Sequence, residues 1–202
     1  MARPRTPIVK LSRRLGIALG KEHVVRRRPY PPGIHGPNPK RRRLSAYAEQ
    51  LREKQKAKAI YGIMERQFRN YFEKATRKEG NTVEVLIQGL ELRLDNVVFR
   101  LGFAKTRRQS RQMVNHGFIL VNGKRVDIPS FQTKVGDEIT FKESKKETGL
   151  VKAIPEIMNM NPLPKWVSRE EKELSGKVTS IPEGEDLDQP FDPTLIVEFY
   201  SR

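Results

Sequence analysis

The chain has 202 residues, with 40 Lys and Arg against 24 Asp and Glu and a formal net charge of +16, a length that suits one medium domain or two small ones. It contains no cysteine, which excludes disulfides, thiolate-ligated zinc, iron–sulfur clusters and a cysteine nucleophile. No apolar run approaches the roughly 20 residues of a membrane-spanning helix, and LGIALG at 15–20 is too short for a signal peptide.

The excess positive charge lies at the N-terminal end. Residues 1–60 contain 17 Lys and Arg against 3 Asp and Glu, whereas residues 111–202 contain 13 against 15. A solvated, solubilising surface is one explanation, but self-repulsion of this size favours a polyanionic partner, most often nucleic acid. Residues 1–45 also contain seven prolines, which disfavour long helices, so we expect an extended or mobile region that becomes ordered on its partner.

One N-terminal segment has the composition of an RNA contact. The run RRRPYPPGIHGPNPKRRR at 26–43 places Tyr30 and His35 between two arginine triplets. Guanidinium groups bind phosphates and aromatic rings stack on unpaired bases. The mixture therefore favours structured RNA over a membrane surface.

Three helices are predicted next. AYAEQLREKQKAKAIY at 46–61 lacks Gly and Pro, with Ser45 as N-cap and Gly62 as a break. The second helix has Gly80 as its C-terminal cap, and NTVE at 81–84 resembles the capping box of the third. The second helix has apolar residues at spacings of three and four, which are more typical of a core than of a cofactor site: Met64, Phe68, Tyr71, Phe72 and Ala75.

Two further helices follow. RLDNVVFRLG at 93–102 has apolar residues at i, i+3, i+4 and i+7, and Thr106 with Gln109 predicts a capping box for a helix that Gly117 ends. The helix dipole disfavours cations near a helix N-terminus. Arginines crowded there indicate a phosphate clamp together with the helix N–H groups, and they are Arg107, Arg108 and Arg111.

The remaining signals are mostly those of strands. FILVNGKRVDI at 118–128 predicts a hairpin that turns at its Asn-Gly pair. FQTKVGDEITF at 131–141 and LIVEFY at 195–200 predict further strands, and a short helix is predicted around 149–159.

No enzyme motif is present. The sequence has no phosphate-binding Gly-rich loop ending in Lys-Ser/Thr, no GxSxG and no HExxH. The three histidines are scattered, which argues against a metal site. We interpret EGEDLD at 183–188 as a solvated loop or a contact for a basic neighbour, and Asp95 as an N-cap or ion-pair partner of Arg93 rather than a catalytic acid. The sequence predicts no catalysis, cofactor or metal.

Several stretches together indicate a family. RLDNVVFRLGFAKTRRQSRQMVNHGFILVNGKRVDIPSF at 93–131 resembles the S4 RNA-binding domain. QLREKQKAKAIYGIMERQFRNYFEKA at 50–75, YPPGIHG at 30–36 and LIVEFYSR at 195–202 extend the likeness over almost the whole chain. Through them the sequence resembles the bacterial-type uS4 family of small-subunit ribosomal proteins.

The resemblance implies an α+β fold. A helical domain at 46–92, completed by 188–202, would carry an inserted S4-type α/β RNA-binding domain at 93–187, made of two helices and an antiparallel β-hairpin or sheet. An extended basic N-terminal region, residues 1–45, would precede them. Many relatives hold zinc with four cysteines near the N-terminus, but Val9 and Ser12 stand at such positions here. The resemblance therefore implies a zinc-free variant whose N-terminal region is ordered by its own packing and by RNA.

The resemblance also implies a function. A member of this family is a structural constituent of the small ribosomal subunit in the cytoplasm. It binds the 5′ domain of 16S-type rRNA near a multi-helix junction, nucleates assembly of the subunit body and, with neighbouring protein S-five, supports translational accuracy. Messenger RNA, where it enters the subunit, is a further partner, whereas a membrane or a small-molecule substrate is not.

The alternatives are a free-standing S4-domain regulatory or stress factor, the RNA-recognition part of an rRNA-modifying enzyme such as a pseudouridine synthase, and, with weaker support, a DNA-binding protein. Against the enzyme, no room for a catalytic domain remains beside the basic helices.

We expect the Arg107→Ala, Arg111→Ala double variant to bind RNA more weakly while keeping its fold. The predicted RNA-binding residues are Arg3, Arg5, Arg13, Arg14, Arg26, Arg27, Arg28, Tyr30, His35, Arg41, Arg42, Arg43, Lys54, Lys58, Arg66, Arg69, Arg107, Arg108, Arg111, His116, Lys124 and Arg125.

Overall fold

The chain divides into two compact units in the computed structural model. The helical unit comprises residues 1–83 with 189–202, and the sheet unit comprises residues 84–188. Within these ranges the structure describes residues 4, 6–38, 44–158, 163–170 and 173–202. In that part of the chain, no helix is both long enough and apolar enough to cross a membrane. The predicted domains 1–45, 46–92 and 93–187 stay a prediction.

The helical unit consists of short and medium helices. Two of them lie in the N-terminal region that was predicted to be extended, and both fall between residues 8 and 28, where no proline interrupts the chain. The described helices are α1 (Ile8–Leu15), α2 (Glu22–Arg27), α3 (Ala46–Tyr61), α4 (Glu65–Arg77), the start of α5 (Thr82–Glu91) and, from the C-terminal end, α11 (Pro193–Tyr200).

Local capping explains the bounds of α3. The Ser45 hydroxyl accepts a hydrogen bond from the Ala48 N–H at 3.3 Å, and Gly62 ends the helix at φ +63°, a conformation that glycine adopts without strain. These predictions are confirmed. The predicted cap at Gly80 is wrong, because α4 ends earlier, at an extended Lys78.

The C-terminal segment LIVEFY is a helix, so the predicted strand is wrong. The Asp192 side chain accepts a hydrogen bond from the Thr194 N–H at 2.8 Å, and Pro193 occupies the first helical position, two strong helix-start signals. Ile196 is fully buried and Tyr200 stacks on Phe72 at 4.8 Å. Packing of α11 against α3 thus overrides the strand propensity of its β-branched and aromatic residues.

The sheet unit contains one antiparallel sheet of five strands in the order β2-β1-β3-β5-β4. The predicted hairpin is confirmed, with Asn122 at φ +51° and Gly123 at φ +75°, as a type I′ turn requires. Segment 131–141 forms a strand only at its end. The strands are β1 (Ile119–Val121), β2 (Lys124–Arg125), β3 (Glu138–Phe141), β4 (Val167–Glu170) and β5 (Ser175–Val178).

The helices, strands and loops of the sheet unit share one core. Leu94, Val97, Val98 and Leu101 are all fully buried, as their spacing predicts, and they share a cluster with Trp166 and the inward residues of β1 and β3. The predicted helix around 149–159 is confirmed as two short ones. The helices that follow α5 are α6 (Leu94–Arg100), α7 (Arg107–Asn115), α8 (Glu143–Lys146), α9 (Gly149–Lys152) and α10 (Ile154–Met158), with a 3₁₀ helix at Gly184–Leu187.

Candidate nucleic-acid interface

A buried ionic cluster lies beneath the first turns of α7. The Asp95 carboxylate accepts two hydrogen bonds from Arg93, at 3.1 and 2.9 Å, and one from Arg111 Nη1 at 3.1 Å. The Arg93 side chain is fully buried, and those of Asp95 and Arg111 are 5% and 8% exposed. Asp95 is therefore an ion-pair partner, one of the two roles predicted for it. Arg111 was predicted to face RNA, but it is a buried partner of this carboxylate.

A second buried network surrounds Glu91. Its carboxylate is fully buried and accepts two hydrogen bonds from Arg100, at 2.8 and 2.9 Å. It also accepts one from the Asn96 amide nitrogen at 2.8 Å. The amide oxygen of Asn96 in turn accepts from Arg107 Nε at 2.7 Å, and the Arg107 guanidinium lies over the Phe99 ring at 4.5 Å. These contacts hold Arg107, which is half-buried, in one place.

The predicted arginine cluster on α7 thus separates into three environments. Arg107 is half-buried, Arg108 is exposed and Arg111 is buried. The predicted N-cap is confirmed, since the Thr106 hydroxyl accepts a hydrogen bond from the Gln109 N–H at 3.2 Å. Of the three arginines, Arg108 is the most open to a phosphate.

The hairpin places further cations beside the other end of α7. Lys124 and Arg125 form β2 and are both exposed. The Arg125 guanidinium lies across Gly117, where an added Cβ would come within 2.6 Å of Nε. Gly117 directly follows the exposed His116, so the Arg125 guanidinium lies beside the backbone next to a second predicted site residue. The Arg125–Asp127 pair is long, at 3.5 Å, and more than half exposed, so it neutralises Arg125 only weakly.

The helical unit uses two predicted RNA ligands internally. Glu65 accepts hydrogen bonds from Lys54 at 2.9 Å, Lys58 at 2.7 Å and the Tyr200 hydroxyl at 2.7 Å. The buried Lys54 ammonium also lies 4.0 Å from the centre of the Phe199 ring. These lysines link α3 to α4 and α11, so the structure places them inside the unit rather than on an open surface.

This cluster shifts two pKa values. Partial burial would by itself raise the pKa of Glu65, but the hydrogen bonds from Lys58, Tyr200 and Lys54 outweigh it and lower the pKa from 4.5 to about 2. Burial, followed by the hydrogen bond and charge of Glu65, raises the pKa of Tyr200. Tyr200 therefore remains a neutral O–H donor to an ionised carboxylate.

The lowered pKa of Glu65 predicts a pH dependence of stability. Because the folded-state pKa of this carboxyl lies below its ordinary value, its contribution is present above pH 4.5 and is lost between about 4.5 and 2. Urea unfolding at a series of pH values should show Glu65→Gln destabilising the protein at pH 7 and progressively less below pH 4.5. A difference between wild type and variant that does not shrink toward pH 2 would contradict this role.

The N-terminal segment is tied together by one predicted site residue. Arg13 donates from Nε to the Tyr30 carbonyl at 2.9 Å, and its guanidinium lies 5.0 Å from the Tyr30 ring centre. Gly36 is required where it stands, because a Cβ there would meet the Pro31 carbonyl oxygen at 1.9 Å.

The other predicted site residues that the structure describes in this unit are exposed, and they are Arg14, Arg26, Arg27, Arg28, His35, Arg66 and Arg69.

Five predicted residues lie outside the described part of the chain, namely Arg3, Arg5, Arg41, Arg42 and Arg43. Among the residues that are described, no group of three or more His, Asp or Glu could hold a metal ion. In the acidic stretch 183–188, Glu185 pairs with Lys165 of the same chain at 3.2 Å, and both side chains are largely exposed.

Comparison with known proteins identifies the family. The model of the ribosomal protein S4/S9 N-terminal domain matches residues 3–91, and that of the S4 domain matches residues 92–139. The small ribosomal subunit protein uS4 of Chloroflexus aurantiacus is 48% identical over the whole of both chains. The chain belongs to the uS4 family.

Other relatives agree in name and extent. The small ribosomal subunit protein uS4 of Thermus thermophilus is 47% identical over the whole of both chains. That of Acetivibrio thermocellus is 53% identical over 89% of this chain and 85% of its own. As a uS4 protein, the chain is a structural, non-enzymatic component of the small ribosomal subunit, in the ribosomes of the cytoplasm, and it carries an RNA-binding S4 domain. The predicted family, fold class and absence of catalysis are thereby confirmed.

Proposed function

We propose that this uS4 protein is a primary rRNA-binding protein that binds the 5′ domain of 16S-type rRNA and nucleates assembly of the subunit body. One observation supports the site in particular. Within the sheet unit, whose residues 92–139 match the S4 domain, Arg108, Lys124 and Arg125 are exposed. Their helix and hairpin are fixed by a buried core.

The proposed mechanism is that the protein holds rRNA helices in a fixed arrangement. Each Lys or Arg that neutralises a phosphate releases condensed counterions, which drives binding and makes it sensitive to salt. An A-form RNA helix hides its base edges in a deep, narrow groove, so recognition depends on phosphates, 2′-hydroxyls and the angles between helices. Cations on a rigid scaffold bind the junction conformer whose phosphates match them and so raise its population over competing RNA folds.

The N-terminal region is proposed to supply a second set of RNA contacts. Its exposed cations include Arg14 and the triplet Arg26, Arg27 and Arg28, and the arginines at 41–43 continue the run in sequence. Protein contacts such as Arg13 with Tyr30 and Arg52 with the Leu15 carbonyl, at 3.2 Å, order the described part of this region. We propose that zinc takes no part in that packing.

Chelation therefore provides a simple check of the zinc-free assignment. We expect excess EDTA, followed by gel filtration into metal-free buffer, to leave the thermal unfolding midpoint and the affinity for RNA unchanged. A relative with four N-terminal cysteines, treated in the same way, is the positive control. A lowered midpoint of this protein after chelation would overturn the assignment.

Neighbouring proteins and messenger RNA are the remaining proposed partners. The likeness to the uS4 family supports a contact with protein S-five, a role in translational accuracy and a position near the incoming messenger RNA. The C-terminal half of the chain, with 13 Lys and Arg against 15 Asp and Glu in residues 111–202, has the charge balance of a surface that meets basic proteins as well as RNA.

Co-sedimentation distinguishes an assembled constituent from a free-standing factor. Tagged protein expressed at low level should sediment with small subunits and stay bound through a wash at about 0.5–1 M salt, because an assembled protein is enclosed by many RNA contacts. A regulatory factor held by a few phosphates should dissociate in the same wash, since its affinity falls steeply with salt. Release of the protein at high salt would contradict the proposal.

A further inference from the structure

Two contacts that fix Arg107 involve uncharged groups. Its Nε donates to the Asn96 amide oxygen at 2.7 Å, and its guanidinium lies 4.5 Å from the centre of the Phe99 ring. The amide oxygen fixes the direction of the Nε–H group and the ring lies against the guanidinium, so the two contacts together set the orientation of the side chain.

The orientation of Asn96 is itself determined. Its amide nitrogen donates to the Glu91 carboxylate at 2.8 Å and to the Glu91 carbonyl at 2.9 Å. Both of these atoms only accept hydrogen bonds, so the NH₂ group must face Glu91 and the amide oxygen must face Arg107. Asn96 is 2% exposed and Glu91 is fully buried, and Arg100 holds the Glu91 carboxylate with two bonds. Hydrogen bonds therefore run without a break from Arg100 through Glu91 and Asn96 to Arg107.

We propose that Asn96, fixed by Glu91 and assisted by the Phe99 ring, is a positioning residue that holds the Arg107 guanidinium ready for an RNA phosphate. This inference rests on the proposed RNA-binding function and adds a residue that itself touches no RNA. A guanidinium already held in its bound orientation loses less side-chain entropy when it binds. Lysine cannot replace it, because an ammonium has no Nε–H and no planar face to lie on a ring.

A set of variants tests this role through coupling rather than through loss of binding alone. Binding to the 5′-domain RNA is measured for wild type, Asn96→Ala, Arg107→Lys and the double variant. We expect Asn96→Ala to weaken binding about fivefold to tenfold when Arg107 is present, the size of one hydrogen bond to a charged group. In the Arg107→Lys background the same substitution should change affinity less than about twofold, because the hydrogen bond that it removes is already absent.

The salt dependence gives a second readout. Neither Asn96→Ala nor Arg107→Lys removes a charge, so both should weaken binding while the slope of log K against log salt stays within experimental error of wild type. Phe99→Leu keeps an apolar side chain but removes the ring, and its effect should likewise depend on Arg107. It serves as an independent probe if Asn96→Ala proves too unstable to assay, and circular dichroism at the assay temperature confirms that each variant is folded.

The outcomes separate this inference from the function on which it rests. If wild type does not prefer the 5′-domain RNA over a plain duplex, the proposed function fails. If wild type shows that preference but Asn96→Ala and Phe99→Leu weaken binding equally with and without the Arg107→Lys substitution, the function stands and the positioning role of Asn96 is wrong.

Discussion

Replacing Asp95 by asparagine is expected to lower the free energy of unfolding by about 3–5 kcal/mol, the usual cost of removing one partner from a buried ion pair. The carboxylate serves two guanidinium groups whose side chains are 0% and 8% exposed. An amide of the same shape would remove the negative charge that Asp95 places beside the buried Arg93 and Arg111, and would turn an N–H group toward one of them.

Urea unfolding at pH 7 measures this effect against a matched control. Asp127→Asn makes the same chemical change in a pair with Arg125 that is more than half exposed, and it should shift stability by less than about 0.5 kcal/mol. If Asp95→Asn cost no more than Asp127→Asn, the buried cluster would not stabilise the fold. The same geometry predicts that Arg111→Ala destabilises the protein, contrary to the sequence-based expectation of an intact fold.

Replacing Lys124 and Arg125 together by alanine should weaken binding to the 5′-domain RNA by roughly tenfold or more. It should also reduce the slope of log K against log salt by about 1.5–2, because each lost phosphate contact removes close to one counterion. Both side chains are exposed on β2, and their removal leaves the buried core of the sheet unit untouched.

A second double variant controls for net charge. Lys134→Ala with Lys177→Ala removes the same charge from exposed positions of the same unit, and Lys177 lies on β5, three strands away from β2. We expect this variant to retain most of the affinity and nearly all of the salt slope, with the unfolding midpoint of both variants close to that of wild type. An equal loss of slope in the two variants would mean that binding depends on the overall charge of the protein rather than on the two cations of the hairpin.

Local signals predicted much of the fold. The Ser45 and Thr106 caps fix where α3 and α7 begin, and the Asn-Gly turn fixes the hairpin, because each interaction lies within a few residues. The C-terminal helix could not be predicted in this way. Its β-branched and aromatic residues favour a strand locally, and what decides is packing on residues far away in sequence, such as the Tyr200–Glu65 hydrogen bond over 135 positions.

The residues of the candidate site show the same difference between local signals and contacts that are distant in sequence. Composition shows that the chain is rich in cations, but an arginine bound to phosphate and one bound to a buried carboxylate look alike in sequence. Arg111 pairs with Asp95 across 16 positions, and Lys54 pairs with Glu65 across 11. Arg93, Glu91 and Asn96 were not predicted as part of the site, although the acidic residues so close to α7 were a signal that some of its arginines are paired within the protein.

The most direct test of the account is a salt titration of binding to the 5′ domain of 16S-type rRNA, with a plain RNA duplex of equal length as competitor. If the protein recognises the shape of the rRNA junction, binding should survive an excess of duplex and should weaken linearly in log salt with a slope that reports several phosphate contacts. Equal affinity for the two RNAs would contradict specific rRNA recognition and would leave only a general affinity for RNA.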